Sequence, residues 1–273
     1  MNEHISIQKG KGHFIFNQYA PLSEKPLDVY YYAPHHKVEN LKIVIVMSGV
    51  GRNANEYRDA WIEMAKEYHL LIIAPEFSTQ FYPGSINYNL GNIHKENGDP
   101  NPEEIWSFSL IEPLFEEIKT ITKNKHHHYY LFGHSAGAQF VHRFIEFVSD
   151  NHVEKAVAAN AGWYTIPSQT IDFPYGFKNS PWKLENSKAM FGARLWILLG
   201  EDDTDPHSLN LRRSPEVDFQ GNNRFDRGKY FYKKSKEKAK DLNQKFKWKI
   251  KYVPNVAHDG ALMSKAAAKM LFG

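Results

Sequence analysis

Ser135 lies in Gly133-His134-Ser135-Ala136-Gly137, directly after the apolar run His128-Tyr129-Tyr130-Leu131-Phe132 and ahead of a helical pattern that begins at Ala138. A serine hydroxyl becomes a nucleophile when a sharp strand-to-helix turn lifts it out of a sheet. There an imidazole can take its proton, and backbone N–H groups at the helix start can hold the developing negative charge. Gly133 and Gly137 suit such a turn, because side chains two residues on either side of the serine would collide in it. The base must then be a histidine from another segment. Of the 14 histidines, His258 is best placed, in Val253-Pro254-Asn255-Val256-Ala257-His258-Asp259-Gly260 between the last strand pattern and the closing helical pattern. His134 is expected to point away from the serine. His126, His127 and His128 alternate across a strand start, so they cannot all bind one ion.

A carboxylate has to fix the tautomer of the base and stabilise its imidazolium. Leu198-Leu199-Gly200-Glu201-Asp202-Asp203-Thr204-Asp205 ends a strand pattern ahead of His258 and offers four acids. Glu201 and Asp202 suit a solvated turn, which leaves Asp203 and Asp205. Pro206 biases Asp205 towards an extended backbone and turns its carboxylate towards the following irregular stretch. The oxyanion needs two donors. One is the N–H of Ala136; Val50 is the choice for the other, in Ser48-Gly49-Val50-Gly51-Arg52, where glycines let the backbone aim its amides inward. Arg52 is open to two readings, substrate contact or pairing with an acid. Trp163 and Tyr164, with Phe81, Tyr82, Tyr88, Phe173, Tyr175, Phe177 and Trp182, suggest an aromatic-lined pocket, although ordinary packing accounts equally well for any one of them.

These groups need elements to hold them. Short apolar runs alternate with amphipathic helical segments, the pattern of a mostly parallel sheet covered on both faces. Residues 13–17 and 27–33 read as two antiparallel opening strands at one edge. Lys42–Met47 is a buried strand by its β-branched content, followed by a helix to Tyr68 that Asn53 or Asn55 can cap. Further strands are expected at 70–74, Val153–Ala159, 195–199 and 248–253, with helices over 103–122, from the serine turn to about 149, and over 259–272. Residues 76–102, 163–190 and 205–228 lack a sustained period. They read as insertions, the second resembling a lid or pocket wall.

The 273 residues show no linker and no repeat, so one domain spanning 1–273 is expected. With 42% hydrophobic and 14% aromatic residues the chain can pack a large core. A net charge of +3 is too diffuse to imply nucleic acid. The basic residues concentrate between 229 and 251, where lysines on a terminal strand would guard against edge pairing; an anionic partner is the other reading. Cysteine is absent, which removes disulfides, thiol nucleophiles and cysteine-based metal sites. No His-Glu-x-x-His helix occurs either, so no metal or cofactor is expected. The first sixteen residues carry scattered charges and no signal-peptide core, and no run is long and apolar enough for a bilayer, which makes a cytoplasmic protein the expectation.

The order of these features, Gly-rich turn, serine elbow, acidic strand end and late histidine, resembles the α/β-hydrolase superfamily, specifically its serine esterase, lipase and polyhydroxybutyrate-depolymerase-like part. The resemblance runs from the Gly49 turn to His258. It implies an eight-stranded, mostly parallel sheet with helices on both faces and lid-like insertions. It also implies hydrolysis of a small-molecule carboxylic ester through an acyl-enzyme on Ser135, with His258 as base. In this fold an Asp three residues after a strand-end glycine recurs, which favours Asp203 over Asp205. Many such esterases carry His before the oxyanion glycine where this chain has Ser48, a departure that leaves the amide intact. A peptidase or acyl transferase would use the same triad, and a non-catalytic ligand-binding relative would lack one of its members. Oligomeric state cannot be read from the residues.

Overall fold

A computed structural model describes residues 6–273; the first five residues, part of the stretch read as lacking a signal-peptide core, lie outside it. Eight strands form one sheet. They are β1 (Gly10–Phe16), β2 (Leu27–Ala33), β3 (Lys42–Met47), β4 (Leu70–Glu76), β5 (Tyr129–His134), β6 (Val153–Ala159), β7 (Leu195–Gly200) and β8 (Lys249–Val253). Their order across the sheet is β1-β2-β4-β3-β5-β6-β7-β8. The two opening strands pair antiparallel at one edge, as their alternating patterns suggest, and every pairing from β4 to β8 is parallel.

The helices are α1 (Ala54–Ala60), α2 (Ile62–Tyr68), α3 (Ile111–Thr122), α4 (Ala136–Phe147), α5 (Ser187–Gly192), α6 (Pro215–Asp218), α7 (Arg224–Asp241) and α8 (Gly260–Phe272). Strand alternation sorts them to two faces. Ile43, Ile45 and Met47 of β3 point into a core shared with α3, α4, α5 and α7 through residues such as Phe115, Phe144, Phe191 and Phe231. Val44 and Val46 point the other way, to Ala54 of α1, Trp61 at the α1–α2 break, Met64 of α2, and Met263 and Leu271 of α8. Both faces being covered explains why β3 reads as continuous apolar sequence.

Two helical segments differ from expectation. The helix read through Tyr68 breaks at Trp61, a wholly buried residue whose N–H turns back to the Arg58 carbonyl. Asn53 does stand at the cap position, but its side-chain amide goes to Glu56 rather than to a backbone group. The segment 103–122 is helical only from Ile111. Trp106 is extended (φ −67°, ψ 144°) with its indole N–H on the Asn101 carbonyl, which leaves short 3-10 turns on either side of it.

Candidate active site

Ser135 links β5 to α4 with φ 57° and ψ −116°, a conformation unfavourable for a residue with a side chain and held here by its surroundings. Its N–H donates to the Ala159 carbonyl of β6, and its own carbonyl accepts from Gln139 one turn into α4. The flanking glycines are required by contact. A Cβ at Gly133 would lie 2.2 Å from the Gly137 carbonyl oxygen, and one at Gly137 would lie 2.1 Å from the carbonyl oxygen of Met47. The elbow is thus packed against the end of β3, where the oxyanion turn begins.

His258 arrives in the β8–α8 loop, and three contacts place it. A Cβ at Gly200 would lie 2.3 Å from the Val256 carbonyl oxygen, so glycine at the end of β7 is what lets that loop pass. Asp202 N–H donates to the same carbonyl at 3.0 Å. Asn160, in the left-handed region after β6, donates from Nδ2 to the Ala257 carbonyl at 3.0 Å and accepts the Gly200 N–H on Oδ1 at 2.8 Å. The imidazole then stands with Nε2 3.0 Å from Ser135 Oγ and Nδ1 2.7 Å from Asp203 Oδ2. Asp203 is buried, its second oxygen 3.4 Å from Arg224 Nη1. Asp205 accepts the His207 N–H on its own turn instead.

This arrangement performs acyl transfer. Ser135 Oγ–H donates to Nε2, the Asp203-bound Nδ1–H fixes that tautomer, and the hydroxyl loses its proton to His258 as Oγ bonds to a carbonyl carbon. Collapse of the tetrahedral adduct expels a leaving group that takes the proton from Nε2. Water repeats the sequence on the acyl-enzyme and frees Ser135.

No family model and no curated protein matches the chain; solved structures do. Poly(aspartic acid) hydrolase-1 from Sphingomonas sp. KT-1 is 45% identical, over 98% of this chain and 100% of that one, with a TM-score of 0.94. LpqC, a poly(3-hydroxybutyrate) depolymerase from Bordetella parapertussis, is 30% identical over 97% and 91%, with a TM-score of 0.91. The chain belongs to the depolymerase-like α/β-hydrolases. This hydrolase shares only the fold with an S-formylglutathione hydrolase from Agrobacterium tumefaciens, at 15% identity and a TM-score of 0.57.

The remaining expected site residues fall in two groups. Ala136 begins α4 and Val50 projects from the turn beside it, 60% exposed, while Gly49 sits so close to the nucleophile that a Cβ would be 3.8 Å from Ser135 Cβ. Arg52, Trp163 and Tyr164, expected at the substrate, are buried in the hydrolase. Arg52 donates to the carbonyls of Phe77, Tyr82 and Gly84 and lies 4.0 Å from the Tyr88 ring centroid, so it braces the 76–102 insertion to the oxyanion turn. Tyr164 stacks on Phe231 at 4.5 Å. Trp163 is held between Arg143 at 4.2 Å and Arg212 at 5.2 Å. In each case an insertion folds its aromatics into the core, which composition alone could not distinguish from a pocket lining.

Asn160, Arg224 and Tyr57 were missed by sequence reasoning, because each acts through a contact remote in the chain; His134 was expected only to point away from the serine. His134 turns to the Tyr57 hydroxyl, 2.9 Å from Nδ1, and its ring lies 4.6 Å from that of His258. Burial, then the neighbouring charges of His258 and Arg224, hold it well below the ordinary histidine pKa. Among the described residues no cluster of three or more His, Asp or Glu stands close enough to hold a metal ion, and no helix is long and apolar enough to cross a membrane.

Proposed function

We propose that this hydrolase cleaves acyl bonds in a polymer of 3-substituted propanoyl units, with poly(aspartic acid) as the preferred class. The carrying observation is the triad's openness: His258 keeps 26% of its side chain exposed and the oxyanion turn presents Val50 at 60%, so a long chain can cross it. The polymers named for the two similar structures share a backbone when aspartate is β-linked. Each places a branch carbon one methylene from the scissile carbonyl, bearing a methyl in the polyester and a carboxylate in the polyamide. The higher identity, 45% against 30%, favours the carboxylate. Arg212 supplies a matching cation. It is exposed over Trp163, whose neighbour Gly162 packs against Gln139 in the first turn of α4.

The backbone N–H groups of Val50 and Ala136 are the proposed oxyanion donors. Esters leave more readily than amides, so an enzyme of this kind also turns over chromogenic esters. The test follows chain shortening of poly(aspartic acid) and of poly(3-hydroxybutyrate) oligomers beside p-nitrophenyl butyrate. Faster cleavage of poly(aspartic acid), with Arg212→Ala raising KM for it and not for the nitrophenyl ester, supports the reading. Cleavage of the short ester alone overturns it. Val50→Pro removes one donor and is expected to lower kcat about 10²–10³-fold, whereas Val50→Ala keeps the N–H and the rate.

A further inference from the structure

Tyr57 is distant in sequence from every triad member, yet its hydroxyl stands where three catalytic segments meet. It lies 2.9 Å from His134 Nδ1 and is approached by the Gly49 backbone amide. A Cβ at Gly260, two residues beyond the base, would lie 3.2 Å from the same hydroxyl and 3.2 Å from His134 Nδ1. On the oxyanion turn a Cβ at Gly49 would lie 2.8 Å from it. His134 completes the set from the other side, buried, with its ring against the ring of His258 at 37°.

We infer that Tyr57 and His134 are a positioning pair, which holds the oxyanion turn and the His258 imidazole in register with Ser135. With the Tyr57 O–H as donor, His134 Nδ1 is the acceptor and the ring's proton sits on Nε2, which has no hydrogen-bond partner among the described residues. Burial pushes the Tyr57 hydroxyl up to about 12, which keeps it a donor throughout the neutral range. A neutral ring behind the base matters because His258 becomes a cation as Ser135 loses its proton, and a second cation there would oppose the step. One neutral hydrogen bond contributes little to net stability. Its effect on rate is larger, since displacing a base or an oxyanion donor by a fraction of its contact distance removes alignment present only in the transition state. Neither side chain is placed to touch substrate, so binding is spared.

Tyr57→Phe deletes the hydroxyl and keeps the ring; His134→Phe keeps a ring against His258 and deletes the acceptor. Each variant and the double are assayed on p-nitrophenyl butyrate, with kcat referred to sites titrated by a fluorophosphonate so that only competent enzyme is counted. This substrate makes the outcome independent of the polymer reading. Each single change is expected to lower kcat about 10- to 100-fold, the range for groups that orient a catalytic ligand, with KM moving less than about two-fold. The double should be no slower than the slower single, because both changes break one link. Unchanged kcat per titrated site in Tyr57→Phe overturns the inference, and that variant alone decides if the His134 changes prevent folding. So does a rise in KM at constant kcat, or a double variant whose loss is the product of the two.

Discussion

Asp203 and Asp205 differ by two positions and carry the same side chain, but only Asp203 faces the base, 2.7 Å from His258 Nδ1. Asn at that position preserves size and removes the charge that selects the tautomer, a change that costs about 10⁴-fold in a serine protease. Asp203→Asn is therefore expected to reduce kcat/KM by a similar order in folded protein, and Asp205→Asn to leave it near the starting value; the reverse pattern would assign the acid to Asp205. Ser135, His258 and Asp203 were legible in the sequence because each sits in a local pattern that backbone geometry enforces. Gly133 and Gly137 flank the turn, and Gly200 admits the loop that carries the base. Arg52 and Tyr164 were left open and Tyr57 missed for the converse reason. Their side chains act on groups that the sequence places 25 or more positions away.

At the scale of one element, α4 is buried along its whole length, and its sequence places His142, Arg143 and Glu146 inside. His142 Nδ1–H donates to the Ala138 carbonyl while Nε2 accepts the Thr165 N–H, so both nitrogens are committed to the neutral ring. Burial first, then Arg143, holds its pKa well below 6.5, as burial does for His134. Unfolding frees both rings to take up protons, so stability is full above the ordinary histidine value and is lost as pH falls through it. Each ring contributes a slope of up to about 1.4 kcal/mol per pH unit. The urea midpoint is expected to drop between about pH 7 and pH 5, and a flat profile would contradict the assignment. Glu146 behaves oppositely. Burial raises its carboxyl well above the usual range, and neither oxygen has a hydrogen-bond partner among the described residues. Its contribution is lost as pH rises above about 4.5, so Glu146→Gln should stabilise the fold more at pH 8 than at pH 5. An equal effect at both values would show an ionised Glu146. The sequence revealed α4 through the period of its apolar positions but could not show that its polar positions are also enclosed, because the covering insertions have no period to read. The same blindness joined α1 to α2 and carried α3 back to residue 103, since the breaks at Trp61 and Trp106 follow from where those indoles are buried.

Across the whole molecule, charge is unevenly placed. Residues 229–251 hold ten lysines against two acids, a local +8 in a chain of net +3, and only Lys229 and Lys234 of those lysines form an ion pair among the described residues. They cover the solvent side of α7 and the edge strand β8, which accords with protection of an open sheet edge. The same excess would draw an acidic polymer to the surface. KM for poly(aspartic acid) should then rise from about 50 to about 200 mM salt while KM for an uncharged ester stays level, and parallel behaviour of the two would separate this charge from catalysis. Strand direction and the chain order of the triad were legible at this scale, because alternation and spacing encode them. The packing of the insertions was not. The central claim is that Ser135 supplies the bond-forming atom, and labelling with a fluorophosphonate, located by peptide mass, tests it beside the turnover of Ser135→Ala. The hydroxyl contributes little to packing, so the variant should fold. The account predicts one adduct on Ser135 of the parent, none in the variant, and a loss of turnover of several orders of magnitude, on the order of 10⁶ in a comparable triad. Near-parent turnover in folded Ser135→Ala, or an adduct on another residue, would contradict it.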